Sequence, residues 1–236
     1  MLIDMHAHTS GISRCCKADA RTGLLAAKEK GIDGMVLSNH YQECYVENGD
    51  AAAFAQSYVR EYEYAKQIAD ELGMKLFFGV EVTAKQHDNA HVLLYGLRPD
   101  FVLRHPDIYN ETLQRMQQLA HAEGGLAVQA HPFRSNGKLL DVQYLDGVEV
   151  NCHPLYDATH CERLLHIAHE NHLLVTCGGD YHADTYRPSC GTHFPDNVQS
   201  EQDLVNWLKA TQTITLHVQE LRTEEHADVV FEKENQ

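Results

Sequence analysis

No uninterrupted apolar run in this 236-residue chain approaches the length needed to cross a bilayer, so a helical membrane protein is not expected. The opening, Met-Leu-Ile-Asp-Met-His-Ala-His, also lacks the basic-then-apolar layout of a secretory leader. No Cys-x-x-Cys pair occurs. The seven cysteines (Cys15, Cys16, Cys44, Cys152, Cys161, Cys177 and Cys190) are odd in number and scattered, which suits free thiols in a reducing cytoplasm. Positive charge is scarce: 19 Lys and Arg against 34 Asp and Glu leave a net charge of −15 with histidine neutral. A chain whose task is to grip nucleic acid needs clustered Lys and Arg, so nucleic acid is not an expected partner. Repeats, low-complexity tracts and linkers are missing as well. One domain spanning residues 1–236 is expected, with the acidic end Glu220–Gln236 peripheral and Val229, Val230 and Phe231 available to dock on the body.

What the chain does have is 43% hydrophobic residues, enough for one sizeable core, and seventeen histidines. Short apolar runs alternate with longer helical patterns. Strands are expected at Leu2–Met5, Met35–Ser38, Lys75–Val82, His91–Gly96, Leu126–Ala130, Gly147–Val150, Leu173–Cys177 and Thr213–Val218. Helices are expected at Asp19–Lys30, from an Asp50 cap to Leu72 with Gly73 as its stop, at Asn110–Glu123, Ala158–Asn171 and Glu201–Ala210, the last with Trp207 inward. Such alternation implies parallel strands joined by crossover helices.

Polar residues fall at the ends of these strands in a telling order. In extended backbone, residues i and i+2 point to one side, so His6 and His8 can aim both imidazoles at one point. His40 follows the second strand, Glu81 ends the third, His131 closes the fifth, Asn151 and His153 follow the sixth, and Asp180 and His182 follow the seventh. Active sites of parallel barrels gather at these carboxyl ends. His91 instead begins its strand. The connection Thr83–Ala90 is too short for a crossover, so a hairpin is expected that sets His91 against Glu81.

Taken together, the motifs His6-x-His8, His40, Glu81 followed by His91, Ala130-His131-Pro132 and Gly178-x-Asp180-x-His182 resemble those of the polymerase and histidinol phosphatase (PHP) superfamily of metal-dependent phosphoesterases, over Asp4 to about Phe194. The resemblance implies an α/β fold, a distorted seven-stranded (β/α) barrel, holding two or three divalent metal ions. It implies a first metal on His6, His8, Glu81 and Asp180, and a second on Glu81, His91 and His131 with Glu81 bridging. A third would use His40, His182 and a residue of the loop after His8. That loop commonly carries Asp or His in the family, whereas here it reads Ser10-Gly11-Ile12-Ser13-Arg14-Cys15-Cys16. Cys15 or Cys16 is the available substitute, and a thiolate would favour zinc. Otherwise both are ordinary buried thiols and Arg14 occupies that corner.

The implied activity is hydrolysis of a phosphate monoester of a small metabolite by a metal-bound hydroxide. Glu81 would fix the metal spacing, and His182, if not a ligand, would protonate the leaving alcohol. Arg134 is the first choice for holding the phosphate, with Arg14 and Arg187 as weaker candidates. The mixed donor set admits zinc, manganese or iron. His153 is expected in the pocket wall, while His87, His105, His121, His160, His193, His217 and His226 have no counterpart in the family and are expected to be surface or structural. The loops Tyr41–Gly49, Arg98–Tyr109 and Asp184–Asp196 are expected to shape the pocket. A metal-dependent amidohydrolase and a non-catalytic PHP module supporting a partner stay open as alternatives, and the sequence leaves the oligomeric state undetermined.

Overall fold

The computed structural model describes residues 1–135, 137–182 and 187–233. Capping chemistry sets the helix boundaries. α1 (Ala20–Glu29) starts where Asp19 accepts a hydrogen bond from the Thr22 amide at 2.8 Å, and buries Leu24 and Ala27. α2 (Ala51–Leu72) starts at Asp50, which takes the Ala53 amide, and ends at Gly73 in the left-handed region that glycine adopts without strain. α3 (Asp100–Arg104) is short. α4 (Leu113–Ala122) begins after a Thr112 cap, α5 (Cys161–Glu170) follows His160 with no side-chain cap, and α6 (Glu201–Ala210) begins behind a Ser200–Asp203 capping box. Caps of this kind contribute about 1 kcal/mol each. Trp207 packs inward on Phe194, ring centroids 4.8 Å apart.

The strands are β1 (Leu2–Ala7), β2 (Gly34–Leu37), β3 (His40–Tyr41), β4 (Lys75–Phe78), β5 (Val80–Ala84), β6 (Ala90–Tyr95), β7 (Leu126–Gln129), β8 (Gly147–Asn151), β9 (Leu174–Gly178), β10 (Gly191–His193), β11 (Thr213–Gln219) and β12 (His226–Glu232). They form two six-stranded sheets, ordered β12-β11-β10-β1-β2-β4 and β3-β5-β6-β7-β8-β9. The α/β class is as expected, and the strands expected to line a distorted barrel are divided between these two sheets. The expected strand Lys75–Val82 is split at Gly79, and the second strand resumes as β3 after Ser38 and Asn39. Backbone bonds carry pairing through both breaks: Ser38 N–H to Ala7 O, Gly79 N–H to Leu37 O and Glu81 N–H to Asn39 O. At the other margin Asp180 N–H reaches His6 O at 2.8 Å, and Ala7 bridges Tyr181, so β1 meets the end of β9.

Not every strand is parallel. β6 is antiparallel to both β5 and β7, the hairpin expected from the short Thr83–Ala90 connection. β10, β11 and β12 add an antiparallel extension to β1. The acidic end is therefore more ordered than its composition suggests: β12 pairs along its length with β11, from Thr213 opposite Glu232 to Gln219 opposite His226, and Phe231 is buried. Residues 234–236 of that end lie outside the described residues. All seven cysteines are free thiols. Among the described residues, no helix is long and apolar enough to cross a membrane.

Candidate metal centre

The carboxyl ends of β1, β7 and β9, together with β3 and the starts of β5 and β6, bring eight of the expected residues to one place. His6 Nε2 and His8 Nε2 lie 3.0 Å apart. Asp180 Oδ1 is 3.4 Å from the first and 3.0 Å from the second. Glu81 Oε1 is 3.3 Å from His6 Nε2, and Glu81 Oε2 is 3.5 Å from His8 Nε2. Donor atoms about 2.0–2.2 Å from a common ion stand roughly 3.0–3.6 Å from one another. The cluster has the spacing of a coordination shell.

Around Glu81 the cluster continues. His91 Nδ1 is 2.6 Å and His131 Nε2 3.1 Å from Oε1, while His40 Nδ1 pairs with Oε2. The expected pairing of His91 with Glu81 thus holds across the β5–β6 hairpin. His40 Nε2 and His182 Nε2 are 3.2 Å apart. The grouping is more continuous than three separate sub-sites: His8 belongs with His6, Glu81 and Asp180, and equally with His40 and His182, while His40 also groups with Glu81 and His91.

Partners behind the cluster fix which nitrogen faces inward. His6 Nδ1–H donates to Glu149 at 2.9 Å, and His8 Nδ1–H donates to Ser13 Oγ at 2.9 Å. Ser13 Oγ also accepts from His40 N–H and donates to Asn39 Oδ1, so its bonding capacity is consistent with that tautomer. Both Nε2 lone pairs then point at two carboxylates. Glu81 Oε2 and Asp180 Oδ1, both buried, find no hydrogen-bond donor of good geometry among the described residues. Lone pairs facing lone pairs in a buried site call for a cation.

The electrostatics show the same demand for positive charge, which protons on His6, His40 and His182 would meet in place of an ion. Burial alone would raise the Glu81 and Asp180 pKa values, but the surrounding imidazoles outweigh it and hold both well below the carboxylate range. Burial opposes charging of His6, yet Glu149, Glu81 and Asp180 push it well up. His8 goes the other way, lowered by burial and by His182 and His40. His40 rises to about 9 and His182 to about 10, each against burial, through Glu81 and Cys15 for the first and Asp180 and Cys15 for the second.

Local backbone aims these ligands. His131 (φ 31°) and Asp180 (φ 47°) are in the left-handed region, a strained choice for non-glycine residues that turns the chain back immediately after β7 and β9. Gly178 has a steric role: a Cβ there would lie 2.5 Å from His6 Cβ and 2.7 Å from Glu149 Oε1.

The loop after His8 resolves between its two thiols. Cys16 is buried near the carbonyls of Ala18 and Tyr181, and burial raises its pKa to about 11. Cys15 is exposed, its Sγ 3.9 Å from the Tyr45 hydroxyl, and the neighbouring His182 and His40 imidazoles lower it to about 6 against partial burial. Arg14 turns outward, stacking on Tyr45 and pairing with Glu47 at 3.0 Å, so it does not fill the corner. Arg187 is a clearer correction. It is buried, paired with Asp4 and stacked on Tyr181, and cannot reach a substrate. Asp4 in turn accepts the amides of His6 and Gly179, which makes Arg187 part of the support beneath β1.

Arg134 is half-exposed at the mouth. Its guanidinium lies over the Tyr156 ring at 4.6 Å, with Nη1 4.0 Å from Asp180 Oδ2. His153 stacks on the same ring, and burial lowers it to about 4. A cavity of about 700 Å³ opens beside His91 and His131, lined by His87, Asp88, Gln129, Arg134, Lys138 and Asp141 among others. The segment Arg98–Tyr109, expected to shape a pocket, instead buries Phe101, Val102, Ile108 and Tyr109 in the core. In Tyr41–Gly49, Tyr45 meets His40 edge-on, whereas Asp184–Tyr186 lie outside the described residues.

Two residues escaped sequence reasoning. Glu149 orients His6 and accepts the His131 amide at 2.9 Å; its signal was a lone charge inside the apolar run Val148-Glu149-Val150. Tyr156, whose hydroxyl donates to Asp180 Oδ2, comes from an irregular loop with no pattern to flag it.

No protein-family model matches the chain, and no curated protein does. Solved structures share its fold. PsfC from Pseudomonas syringae aligns at TM-score 0.60 and 18% identity, over 86% of this chain and 87% of PsfC. A Bifidobacterium adolescentis protein, provisionally assigned as a metal-dependent phosphoesterase, aligns at 0.54 and 20%, over 88% and 95%. A Chromobacterium violaceum amidohydrolase, solved with bound sulfate and no metal, aligns at 0.52 and 16%, over 88% and 97%.

Proposed function

We propose that the chain is a PHP-type metal-dependent phosphoesterase that hydrolyses a phosphate monoester of a small metabolite. The observation that carries this reading is the set of imidazole and carboxylate lone pairs turned toward one another in a buried site. His6, His8, Glu81 and Asp180 would hold one divalent ion, Glu81, His91 and His131 a second, and His40, His182 and Cys15 a third. Zinc, manganese and iron all suit the donors, and Cys15 favours zinc at the third position. Bound metal would supply Lewis acidity and a water of near-neutral pKa.

The chain's own groups supply the rest. Arg134, held over the Tyr156 ring, would orient the phosphate and neutralise its charge. His182, raised to about 10 by Asp180 and Cys15, would give its proton to the departing alcohol where the third ion is not bound. The cavity beside His91 and His131 would take the leaving group. We read the two sheets as halves of a distorted seven-stranded barrel in one domain, a reading supported by the bonds through Ser38 and Gly79 and by the Ala7–Tyr181 bridge.

The likeness to the Chromobacterium protein supports a second reading, a metal-dependent amidohydrolase. Against it, Glu81 arrives early in the chain and Asp180 is followed by a histidine two residues on. Protein reconstituted separately with zinc, manganese and iron should release phosphate from members of a phosphomonoester panel. Ammonia or carboxylate from amide substrates, with no phosphate from any ester, would replace this reading with the second.

A further inference from the structure

A second cluster of metal-type donors lies on the antiparallel extension and shares no residue with the centre above. His193 is on β10, His217 on β11 and Asp228 on β12. The register explains why they meet. His217 is directly opposite Asp228, and Gly191 opposite His217 places His193 diagonally across. Along β11, Ile214, Leu216 and Val218 are buried, so Thr215 and His217 occupy the other face. Strand alternation then puts Asp228 and His226 on that same outer face of β12.

We propose that His193, His217 and Asp228 form a separate, solvent-facing binding site for a divalent transition-metal ion such as zinc. His217 Nδ1 is 2.7 Å and His193 Nε2 3.3 Å from Asp228 Oδ1, and the three donor atoms lie within 4.8 Å of one another. The two imidazole planes are perpendicular, ring centroids 6.0 Å apart, so both nitrogens converge on one oxygen without stacking. Asp228 keeps its charge, lowered in pKa chiefly by the His217 hydrogen bond. Two histidines and one carboxylate leave the remaining coordination positions to water, or to His226, whose ring lies 4.6 Å from that of His217. An ion here would tie three consecutive strands together, and β12 is the last of them.

Binding would displace the protons now shared with Asp228, so the site should weaken in acid and be filled by borderline metals rather than magnesium. Zinc binding by the full chain should be measured by equilibrium dialysis for wild type, His217→Ala and Asp228→Asn. Each variant should bind one ion fewer per chain. On wild type, zinc should also slow acylation of His193 and His217 by diethylpyrocarbonate at least tenfold, read by peptide mass spectrometry; magnesium should not. Unchanged stoichiometry in both variants, or acylation equally fast with and without zinc, would reduce the cluster to a pair of histidine–aspartate hydrogen bonds.

Discussion

Histidine and carboxylate meet in two regions of this molecule, and the regions are built in opposite ways. At the strand ends, His6, His8, Glu81 and Asp180 are buried, and their inner donor atoms face one another. On the β10–β12 extension, Asp228 is exposed, and its oxygen already receives both neighbouring imidazoles. In the first region a cation relieves an electrostatic conflict; in the second it competes with hydrogen bonds that are already satisfactory. On the two proposals above, burial more than residue type would decide which site holds its ion more tightly.

The largest test of that contrast is Glu81→Gln against His217→Ala. Removing the Glu81 charge should cut the proposed phosphatase activity by more than the roughly 10–100-fold typical of losing an outer-shell partner. His217→Ala should leave activity unchanged. Comparable losses in the two variants would dissolve the distinction.

The arginines sharpen it next. Arg187→Met strands Asp4 in the core and should destabilise the fold by about 3–5 kcal/mol, seen as a large drop in Tm. Arg134→Met should leave Tm and metal content in place but lower kcat/KM about ten- to a hundredfold, since a charge-assisted contact contributes roughly 1.5–3 kcal/mol. Inorganic phosphate should inhibit that variant less. Unchanged kinetics would return Arg134 to the rim.

A smaller effect is expected at Cys15. As a ligand it should be alkylated more slowly in the metal-loaded protein than after chelation, whereas Cys16 should react slowly in both because it is buried. Equal Cys15 rates would remove it from the third position.

How far these features were legible in the sequence follows from their physics. Residues i and i+2 on a strand share a side whatever the fold, so His6 and His8 could be paired from spacing alone. The short link before His91 forced a hairpin, and with it the Glu81 contact. Asp50 and Gly73 bounded α2 because caps are local chemistry. The failures are all non-local. Arg187 looked like any loop arginine until Asp4, 183 residues away, claimed it. Glu149 was visible only as an odd charge in an apolar strand. β10 is three residues long, and the acidic composition of the chain end masked β12, whose order comes from pairing with β11. The break at Gly79, which divides one apolar run between two sheets, leaves no mark in hydropathy.

Metal analysis of purified His6→Ala/His8→Ala protein tests most directly whether the strand-end cluster holds metal. Wild type should carry about two or more divalent ions per chain, the number its ligand sets can hold. The double variant should stay folded by circular dichroism and lose most of one ion. Wild-type metal content retained in the folded double variant would contradict the assignment.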